Sequence, residues 1–479
     1  MAVAKALPPP KVLKEKISIL ENDKIAVHLS NIGGTVVKAM VKEFGETLPL
    51  DQIIGLEDFD GVSFIPETMA FNTIKYTALA EGLKIIKTYE LSDNDYILKS
   101  TIEIINVSKM SKNIKINTFT LDISRLDKNI QKNRDRGLIE YSVGYDDEVL
   151  RKTGAVKFTE KERKSKDKNI NFAGFRNRYF CAVIKPEFLT ESFLINPISE
   201  SKLSIIINPQ DAKIKQNESR EYSFISYFGP QKLKVLKEYD LGFEKIMVFF
   251  RWGFFDAIAK LIYLFLLFLF NIFKNWGICI IIVSLSIYFA MYPLTMKGMK
   301  SMKRMQSLQP QINKLREQHK NNPQKLNKEM MELYKEHKIN PLGGCFPLFL
   351  QLPVFIGLYQ VLWRSVYFKG AKFLWIKDLS EPDRLWKFPG TIPLLGDYLN
   401  ILPILMVIIM VFQQKLSAKN MVVTDPAQIA QQKMMMTIFP LFLGFIFYNF
   451  ASGLSLYFTI FYILSTFTQW KISKSTKVA

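Results

Sequence analysis

The second half of the chain consists of long apolar runs separated by short basic segments. The uncharged runs are residues 277–296, 342–363, 398–414 and 434–470. A membrane-spanning helix needs about 20 apolar residues. The last run holds 37 residues and would extend about 55 Å as one helix. A break is therefore expected at residues 449–453, where Asn449, Ser452 and Gly453 interrupt the run. The pattern predicts five spans.

A shorter apolar run, residues 261–273, precedes the first span. Its 13 uncharged residues lie between Asp256 and Lys260 on one side and Lys274 on the other. Such a run is too short to cross the hydrocarbon and is typical of a helix in the headgroup plane. We therefore predict an interfacial amphipathic helix within residues 241–275. In the alternative, this run also crosses the membrane and the first half of the chain is cytoplasmic.

The first half of the chain has the shorter period of β-strands. Apolar and polar residues alternate, as at residues 101–104, and turn residues bound the runs, as at 31–34 and 208–209. The strand-like runs are residues 17–20, 24–29, 96–105, 113–121, 179–184 and 203–207. The pattern predicts an antiparallel β-sandwich over residues 17–240.

Motifs that carry chemistry are scarce. His28 is the only histidine of the first half, and its place in a strand-like run predicts a half-buried strand residue. Residues 157–168 are dense in charge and predict an exposed loop. The three cysteines, Cys181, Cys279 and Cys345, are spaced neither as a disulfide scaffold nor as a zinc site. No glycine-rich phosphate loop or nucleophile elbow is present. The sequence predicts no catalytic residue, metal or cofactor.

Positive charge is concentrated in the second half. Residues 1–240 hold 37 basic and 33 acidic side chains, which leaves 27 and 11 for residues 241–479. The basic surplus falls in residues 297–341, in the loop after the third span and in the short tail 471–479, all on one side of a five-span topology. Lys and Arg mark the cytoplasmic side, so residues 17–240 are predicted to be extracytoplasmic. Residues 1–16 lack the apolar core of a signal peptide or anchor, and we expect that an N-terminal anchor is missing.

A cytoplasmic helical hairpin is predicted over residues 297–341. An apolar stripe runs along a first helix, in which Pro310 should cause a kink or a split. Asn322 and Pro323 predict the N-cap and first position of a second helix. The stripe residues are Met299, Met302, Met305, Leu308, Ile312 and Leu315 on the first helix, and Leu326, Met330, Leu333 and Tyr334 on the second. A Met-rich stripe suits varied apolar partners. Alternatively, the two stripes bury each other.

Several motifs of the second half resemble those of the YidC-type membrane-protein insertases of bacteria. They are Asn275-Trp276-Gly277, Tyr292-Pro293-Leu294-Thr295, Asn340-Pro341-Leu342-Gly343-Gly344-Cys345-Phe346-Pro347-Leu348, Gln351-Leu352-Pro353, Leu374-Trp375-Ile376-Lys377-Asp378-Leu379 and Ser452-Gly453-Leu454-Ser455-Leu456-Tyr457. Looser matches lie at residues 31–34, 178–180 and 227–230. The resemblance is dense over residues 240–470.

The resemblance implies an N-terminal anchor, an extracytoplasmic β-supersandwich, an interfacial helix, and a membrane domain at residues 276–470. In this domain five spans surround a groove open to cytoplasm and lipid, and the cytoplasmic hairpin is needed for activity. The family inserts and helps fold nascent membrane proteins in the bacterial inner membrane, alone or beside the Sec translocon. Contact of the basic hairpin with the ribosome is a further expectation.

One position departs from the family pattern. Family members carry a groove arginine four residues before the Tyr of the Tyr-Pro-Leu motif, and Tyr288 stands there in this chain. Substrates are then expected to enter mainly by hydrophobic partition. The departure leaves open a second function, that of a structural or assembly chaperone of membrane complexes with an impaired groove.

Uncharged polar residues of the spans are the candidate groove lining. They are Ser284, Tyr288, Gln351, Tyr457, Thr459 and Tyr462. Alternatively, these side chains only pack helix on helix. The predicted spans contain no His, Asp or Glu, which argues against an intramembrane enzyme or an ion-coupled transporter. A sugar-active β-sandwich would need paired carboxylates in a cleft, which a single sequence cannot show.

Overall fold

The computed structural model describes residues 14–48, 50–122, 139–153, 163–250, 252–320, 322–337, 346–393, 395–418 and 434–474. The chain divides into two compact units, Met1–Met247 and Val248–Ala479. The first is built of strands and the second mainly of helices. Residues 1–13, 157–162 and 340–345, which belong to the predicted tail, the charged loop and one of the motifs above, lie outside the described residues.

The first unit is made of short strands and one short helix, α1 (Leu233–Glu238). The strands described are β1 (Ile17–Glu21), β2 (Ile25–Ser30), β3 (Thr35–Val41), β4 (Glu46–Thr47), β5 (Leu50–Leu56), β6 (Ile65–Ala70), β7 (Thr73–Ala80), β8 (Leu83–Leu91), β9 (Ile97–Asn106), β10 (Lys112–Asn113), β11 (Ile116–Asp122), β12 (Glu140–Tyr145), β13 (Glu148–Thr153), β14 (Arg163–Lys166), β15 (Ile170–Arg176), β16 (Phe180–Pro186), β17 (Thr190–Pro197), β18 (Lys202–Pro209), β19 (Lys213–Ile214) and β20 (Ser219–Pro230).

Two sheets of nine strands form a sandwich. One has the order β1-β2-β3-β5-β11-β18-β17-β14 with β4 beside β3, and the other β13-β12-β15-β16-β20-β9-β8-β7-β6. Neighbours pair antiparallel, as do β8 with β9 and β11 with β18. Alternation along β8 places every second residue against the core. The rings of Phe119 on β11 and Phe175 on β15 lie 6.5 Å apart and join the sheets. The predicted β-sandwich is confirmed.

A buried ion pair also joins β12 to β15 within one sheet of the sandwich. The Arg176 guanidinium donates through Nε and Nη2 to the two carboxylate oxygens of Glu140, each at 3.1 Å. A third donor, Nη1, lies 3.3 Å from Oε1 of Gln231. Arg176 is 3% and Glu140 6% exposed, so neither charge has water as an alternative partner.

The turn at residues 31–34 is held by a buried lysine. Gly33 and Gly34 have φ angles of 71° and 55°, and a Cβ on Gly34 would lie 3.0 Å from the Phe64 ring, so both conformation and space favour glycine. Nζ of Lys87 donates to the Gly33 and Ile54 carbonyls at 2.8 and 2.9 Å. Burial lowers the pKa of Lys87 to about 7, and the charge of Asp60 opposes that shift.

Three details of the first half can be compared with the sequence analysis. His28 is half-buried in β2, as predicted, and burial lowers the pKa of its imidazole. The predicted turn at residues 208–209 is wrong, because Asn208 and Pro209 end β18 and pair with β17. The charged loop is wrong for Arg163–Lys166, which form β14. This strand lies at a sheet edge, where charged side chains are common because they prevent further pairing.

The second unit consists of eight helices and one β-hairpin within its described part. The helices are α2 (Gly253–Phe273), α3 (Trp276–Ser307), α4 (Gln309–Gln318), α5 (Pro323–Glu336), α6 (Phe346–Arg364), α7 (Ile401–Ala418), α8 (Phe439–Phe447) and α9 (Ser452–Lys474). A π-helical turn, Met434–Ile438, precedes α8. The hairpin strands are β21 (Trp386–Ile392) and β22 (Gly396–Leu399). The predicted break in the last apolar run is confirmed, since α8 ends at Phe447 and α9 begins at Ser452.

Helix α2 is longer than the sequence analysis assumed. It has 21 residues rather than 13 and includes both Asp256 and Lys260. The Asp256 carboxylate fits because it accepts the backbone N–H groups of Phe249 and Phe250 at 2.7 and 3.1 Å and pairs with Lys260 at 2.8 Å. The premise that this segment is too short to cross a bilayer is therefore wrong. Its placement in the headgroup plane stays a prediction.

Two described helical segments are long and apolar enough to span a membrane, Gly253–Phe273 and Trp276–Gly298. The segments Ile401–Leu416 and Met436–Phe447 are apolar but shorter. The membrane character of the second unit agrees with the sequence analysis, and the count of five spans stays a prediction.

The hairpin follows the first span without a break. Helix α3 runs for 32 residues through Pro293, so the span and the start of the hairpin are one helix. The predicted split falls at Leu308, and Pro310 lies in the first turn of α4, where its missing N–H costs nothing. The side chain of Asn322 accepts the Lys325 N–H at 3.1 Å and caps α5, as predicted.

Candidate functional site

Helix α9 occupies the centre of the described membrane helices. Residues 452–459 are all buried, and the helix packs against α3, α6 and α7. Its first turn is fixed by the Leu379 carbonyl, which accepts the Gly453 N–H at 2.9 Å. A Cβ on Gly453 would lie 3.1 Å from both that oxygen and Ile280. Glycine therefore allows α9 to enter close to α3.

A polar contact joins α6 to α9. Nε2 of Gln351 donates to the hydroxyl oxygen of Tyr457 at 2.6 Å. Gln351 is 7% exposed and Tyr457 is fully buried. Oε1 of Gln351 and Oγ of Ser455 are among several buried polar atoms of the described residues that have no hydrogen-bond partner. A buried acceptor left in this way costs about 1–3 kcal/mol, so these two atoms are natural sites for bound water.

A second polar contact joins α3 to α9. The Tyr288 hydroxyl donates to the Leu464 carbonyl at 3.2 Å, and the Tyr288 oxygen also shares a short hydrogen bond with the Thr468 hydroxyl. The Tyr288 ring lies edge-on to Phe461 at 5.7 Å. Tyr288 is 4% exposed. The position at which the resemblance leads us to expect arginine thus holds a neutral side chain bonded to α9.

The remaining predicted lining residues have different surroundings. The hydroxyls of Ser284 and Thr459 each donate at 2.7 Å to a carbonyl four residues back in their own helix, and both residues are buried. This is the arrangement expected of helix packing. Tyr462 is half-buried, and its carbonyl accepts the Thr466 hydroxyl at 2.7 Å. The lining of a groove by the six residues stays a prediction.

Three residues of these polar contacts were not singled out from the sequence. Nε2 of Gln413 on α7 donates to Oγ of Ser465 on α9 at 2.6 Å, and Thr468 completes the contact with Tyr288. Helix α9 therefore makes one polar contact to each of α3, α6 and α7. These contacts had little signal in the sequence, because Gln413 lies near the predicted membrane–water interface and the partners are far apart along the chain.

The helical hairpin that is predicted to be cytoplasmic has its own small core. Leu308 and Ile312 are buried, and Met305, Met330, Leu333 and Tyr334 pack against them. Helices α4 and α5 are also linked by His319 and Glu329, whose side chains meet at 2.8 Å. The alternative in which the stripes bury each other describes these residues. The side chains of Met299 and Met302, which the Met-rich stripe also includes, lie outside the described part.

The site offers no place for a bound metal in the part of the chain that the structure describes, since no three His, Cys, Asp or Glu side chains there converge. What the arrangement provides is a set of uncharged donors and acceptors between apolar helices, next to a basic helical hairpin. An apolar helical unit of this kind, which follows a β-sandwich along the chain, is typical of a membrane protein with an extensive extramembrane domain. A family model described as 60Kd inner membrane protein matches residues 268–478, and one described as YidC periplasmic domain matches residues 71–265.

Relatives named membrane protein insertase YidC match most of the chain. The relative from Geobacter sp. (strain M21) is 32% identical over 404 residues, which are 84% of this chain and 70% of the relative. The relative from Endomicrobium trichonymphae is 32% identical over 495 residues, or 97% and 86% of the two chains. The chain therefore belongs to the YidC family of membrane protein insertases.

The match to some relatives is shorter. With the relative from Geobacter sulfurreducens, which is 36% identical over 310 residues, the match spans 64% of this chain and 54% of the relative. A crystal structure of an active YidC insertase with its first transmembrane domain resolved is 18% identical, with a TM-score of 0.42 and coverage of 96% of this chain and 93% of that one.

Proposed function

We propose that this chain is a membrane-protein insertase and chaperone that moves apolar segments of nascent proteins from the cytoplasm into the inner membrane. The observation that carries the proposal is the polar strip on α9, where Gln351, Tyr288 and Gln413 meet this helix from three sides. The family membership supports the same function. No catalytic residue or cofactor is part of the proposal.

The polar strip helps insertion by holding water inside an otherwise apolar unit. The flanks of a nascent span are polar, and a charge at the bilayer centre costs several kcal/mol. Water bound at Gln351 Oε1 and Ser455 Oγ gives such a flank hydrogen-bonding partners during passage. The apolar core of the segment meanwhile leaves sideways into lipid, which hydrophobic transfer favours by about 25 cal/mol per Å².

The neutral Tyr288 sets a preference among substrates. An arginine at this position would attract acidic segments, whereas the tyrosine hydroxyl is occupied by Leu464 and Thr468. Substrates whose translocated tails carry few acidic residues are therefore expected to insert best. The second candidate, an assembly chaperone with an impaired groove, is favoured by the same observation and predicts no insertion for any tail.

The proposed orientation places the β-sandwich in the periplasm and the hairpin in the cytoplasm. Support comes from the basic residues of α3 to α5, because Lys and Arg accumulate on the cytoplasmic side. The exposed basic surface of the hairpin suits contact with the ribosome, and the Sec translocon is proposed as a partner in the membrane. Protease added outside spheroplasts should digest the sandwich and leave the hairpin intact. Digestion of the hairpin alone would contradict the orientation.

Site-specific photocrosslinking tests the insertase proposal. A benzoylphenylalanine is placed at Tyr462, a half-buried predicted lining residue, and as a matched control at Ile408, which is 60% exposed on α7. A ribosome-stalled single-span protein is then added. The proposal predicts crosslinks from position 462 that weaken when the nascent chain is extended and released. Equal crosslinking from both positions, or none from position 462, would contradict it.

A further inference from the structure

The segment between α6 and α7 is fixed at the start of α7. The Asp383 carboxylate, 2% exposed, accepts the backbone N–H groups of Ile401 and Leu402 at 2.9 and 3.1 Å and the Trp375 indole N–H at 3.2 Å. Asn400 accepts the Arg384 N–H at 2.9 Å and donates to the Tyr448 carbonyl at 2.8 Å. Two free N–H groups of the helix are thereby satisfied, and the base of the β21–β22 hairpin is tied to the helix end.

The hairpin itself presents apolar side chains to its surroundings. Trp386 pairs with Leu399 and Ile392 with Gly396, but most of its residues are exposed. Large apolar side chains exposed by more than a third on this segment are Leu374 (74%), Trp386 (67%), Leu385 (44%), Trp375 (38%), Leu395 (38%) and Ile392 (36%). An isolated two-stranded hairpin is marginally stable in water, and so large an apolar surface indicates a contact.

The charges of the segment point to the chemistry of that contact. Its carboxylates are engaged within the segment: Asp378 with Ser380, Asp383 with the start of α7, Glu381 with Arg384, and Asp397 with Thr391. Lys372, Lys377 and Lys387 are exposed beside the apolar side chains. Tryptophan together with lysine is the composition of the boundary between hydrocarbon and headgroups, where anionic phosphate groups attract the cations.

The hairpin should lie next to this boundary, because it directly precedes α7 along the chain. Leu399 lies two residues before Ile401, the first residue of α7, and the exposed face of α7 continues with Ile404, Leu405 and Ile408. A three-residue step of β22 spans about 10 Å, whereas the headgroup region of one leaflet is roughly 5–8 Å thick. A hairpin rooted at the helix end therefore stays within that region when it lies along the surface, and would leave it if it stood upright.

We propose that the β21–β22 hairpin, with Leu374 and Trp375, is an interfacial anchor that binds the lipid headgroup region of the leaflet where α7 begins. The anchor rests on the membrane assignment of the second unit and not on insertase activity. It holds the extramembrane end of α7 at a fixed depth in the membrane. The hydrogen bonds of Asp383 to the start of α7 connect the hairpin to the helix.

The test uses the full chain reconstituted in vesicles of phosphatidylcholine and phosphatidylglycerol. Ile392→Cys is labelled with an environment-sensitive fluorophore in a Cys345→Ser background, in which the native thiols Cys181 and Cys279 are buried. Ile65→Cys, at a β-sandwich residue that is 75% exposed, is the matched control. Quenching is measured with lipids brominated near the headgroup and with aqueous iodide.

We expect brominated lipid to remove most of the emission at position 392, with little effect of iodide, and the reverse at position 65. The quenching by lipid should fall when Lys387→Glu is added or when phosphatidylglycerol is omitted. Free quenching of position 392 by iodide would overturn the proposal. Protection from both quenchers would also overturn it, because another protein surface would then cover the hairpin. An insertion assay on the same vesicles tests the proposed insertase function separately.

Discussion

The contact between Tyr288 and α9 allows a quantitative test of the polar strip. Tyr288→Phe removes the hydroxyl that bonds Leu464 and Thr468 but keeps the ring against Phe461. Interhelical hydrogen bonds in membranes contribute about 0.6 kcal/mol on average and up to about 1.7 kcal/mol. With two such contacts on a residue that is 4% exposed, the loss in free energy of unfolding should be about 1–2 kcal/mol.

A double-mutant cycle separates this contact from other effects of the substitution. Thr468→Val removes the second hydroxyl, and the coupling energy between the two changes should be about 0.6–1.7 kcal/mol. The assay is reversible unfolding in mixed micelles, followed by tryptophan fluorescence. Tyr457→Phe, which breaks the Gln351 contact, serves as a matched control and should show no coupling to Thr468→Val. A coupling energy of zero for Tyr288 and Thr468 would refute the reasoning.

Insertion measured with the same variants connects the contact to function. Tyr288→Arg introduces a cation at the position where the family resemblance leads us to expect arginine. Because a buried guanidinium is poorly hydrated, it should draw water to the strip. Its charge should improve the insertion of a reporter with an acidic tail. Tyr288→Phe should reduce insertion of the same reporter, because one polar partner is lost. Unchanged insertion in both variants would exclude a role of Tyr288 in substrate passage.

Three further predictions concern stability. The pKa of Lys87 is lowered from 10.5 to about 7, so between these values the unfolded chain binds more protons, and stability of the sandwich should rise with pH by up to about 1.4 kcal/mol per unit. Hydrogen exchange of β3 and β5 from pH 7 to 9 should show this rise, and Lys87→Met should abolish it. Glu140→Ala leaves the buried Arg176 charge unpaired and should lower the free energy of unfolding by about 3–5 kcal/mol. The double variant Glu140→Leu with Arg176→Met should lower it far less, as measured by denaturant unfolding. Asn322→Ala removes the cap of α5 and should cost about 1 kcal/mol, seen as faster amide exchange at Lys325 without change in α4.

The sandwich was predictable from the sequence because alternation and turn residues are local signals. The caps of the helical hairpin were predictable for the same reason, since Asn322, Pro323 and Pro310 act within one helical turn. The order of strands was not predictable, because β11 pairs with β5 and β18 across long stretches of chain. The family resemblance correctly implied the β-domain and the helical unit.

Helix α2 and the polar strip show what local reasoning misses. The charges of Asp256 and Lys260 predict an apolar helix that begins only at residue 261. Asp256 nevertheless lies inside α2, because its carboxylate accepts the N–H groups of Phe249 and Phe250 and pairs with the Lys260 ammonium. Gln413 and Ser465 meet only when α7 packs on α9. Such tertiary partners have no signature in the spacing of residues along one helix.

Rescue of a bacterium depleted of its own insertase tests the central claim most directly. The chain is expressed as it stands and with an uncleaved anchor fused before Met1, and its abundance in the membrane is measured in each strain. The account predicts restored growth and insertion of a small single-span reporter by at least one of the two forms. Stable accumulation of both forms in the membrane without growth and without reporter insertion would contradict it.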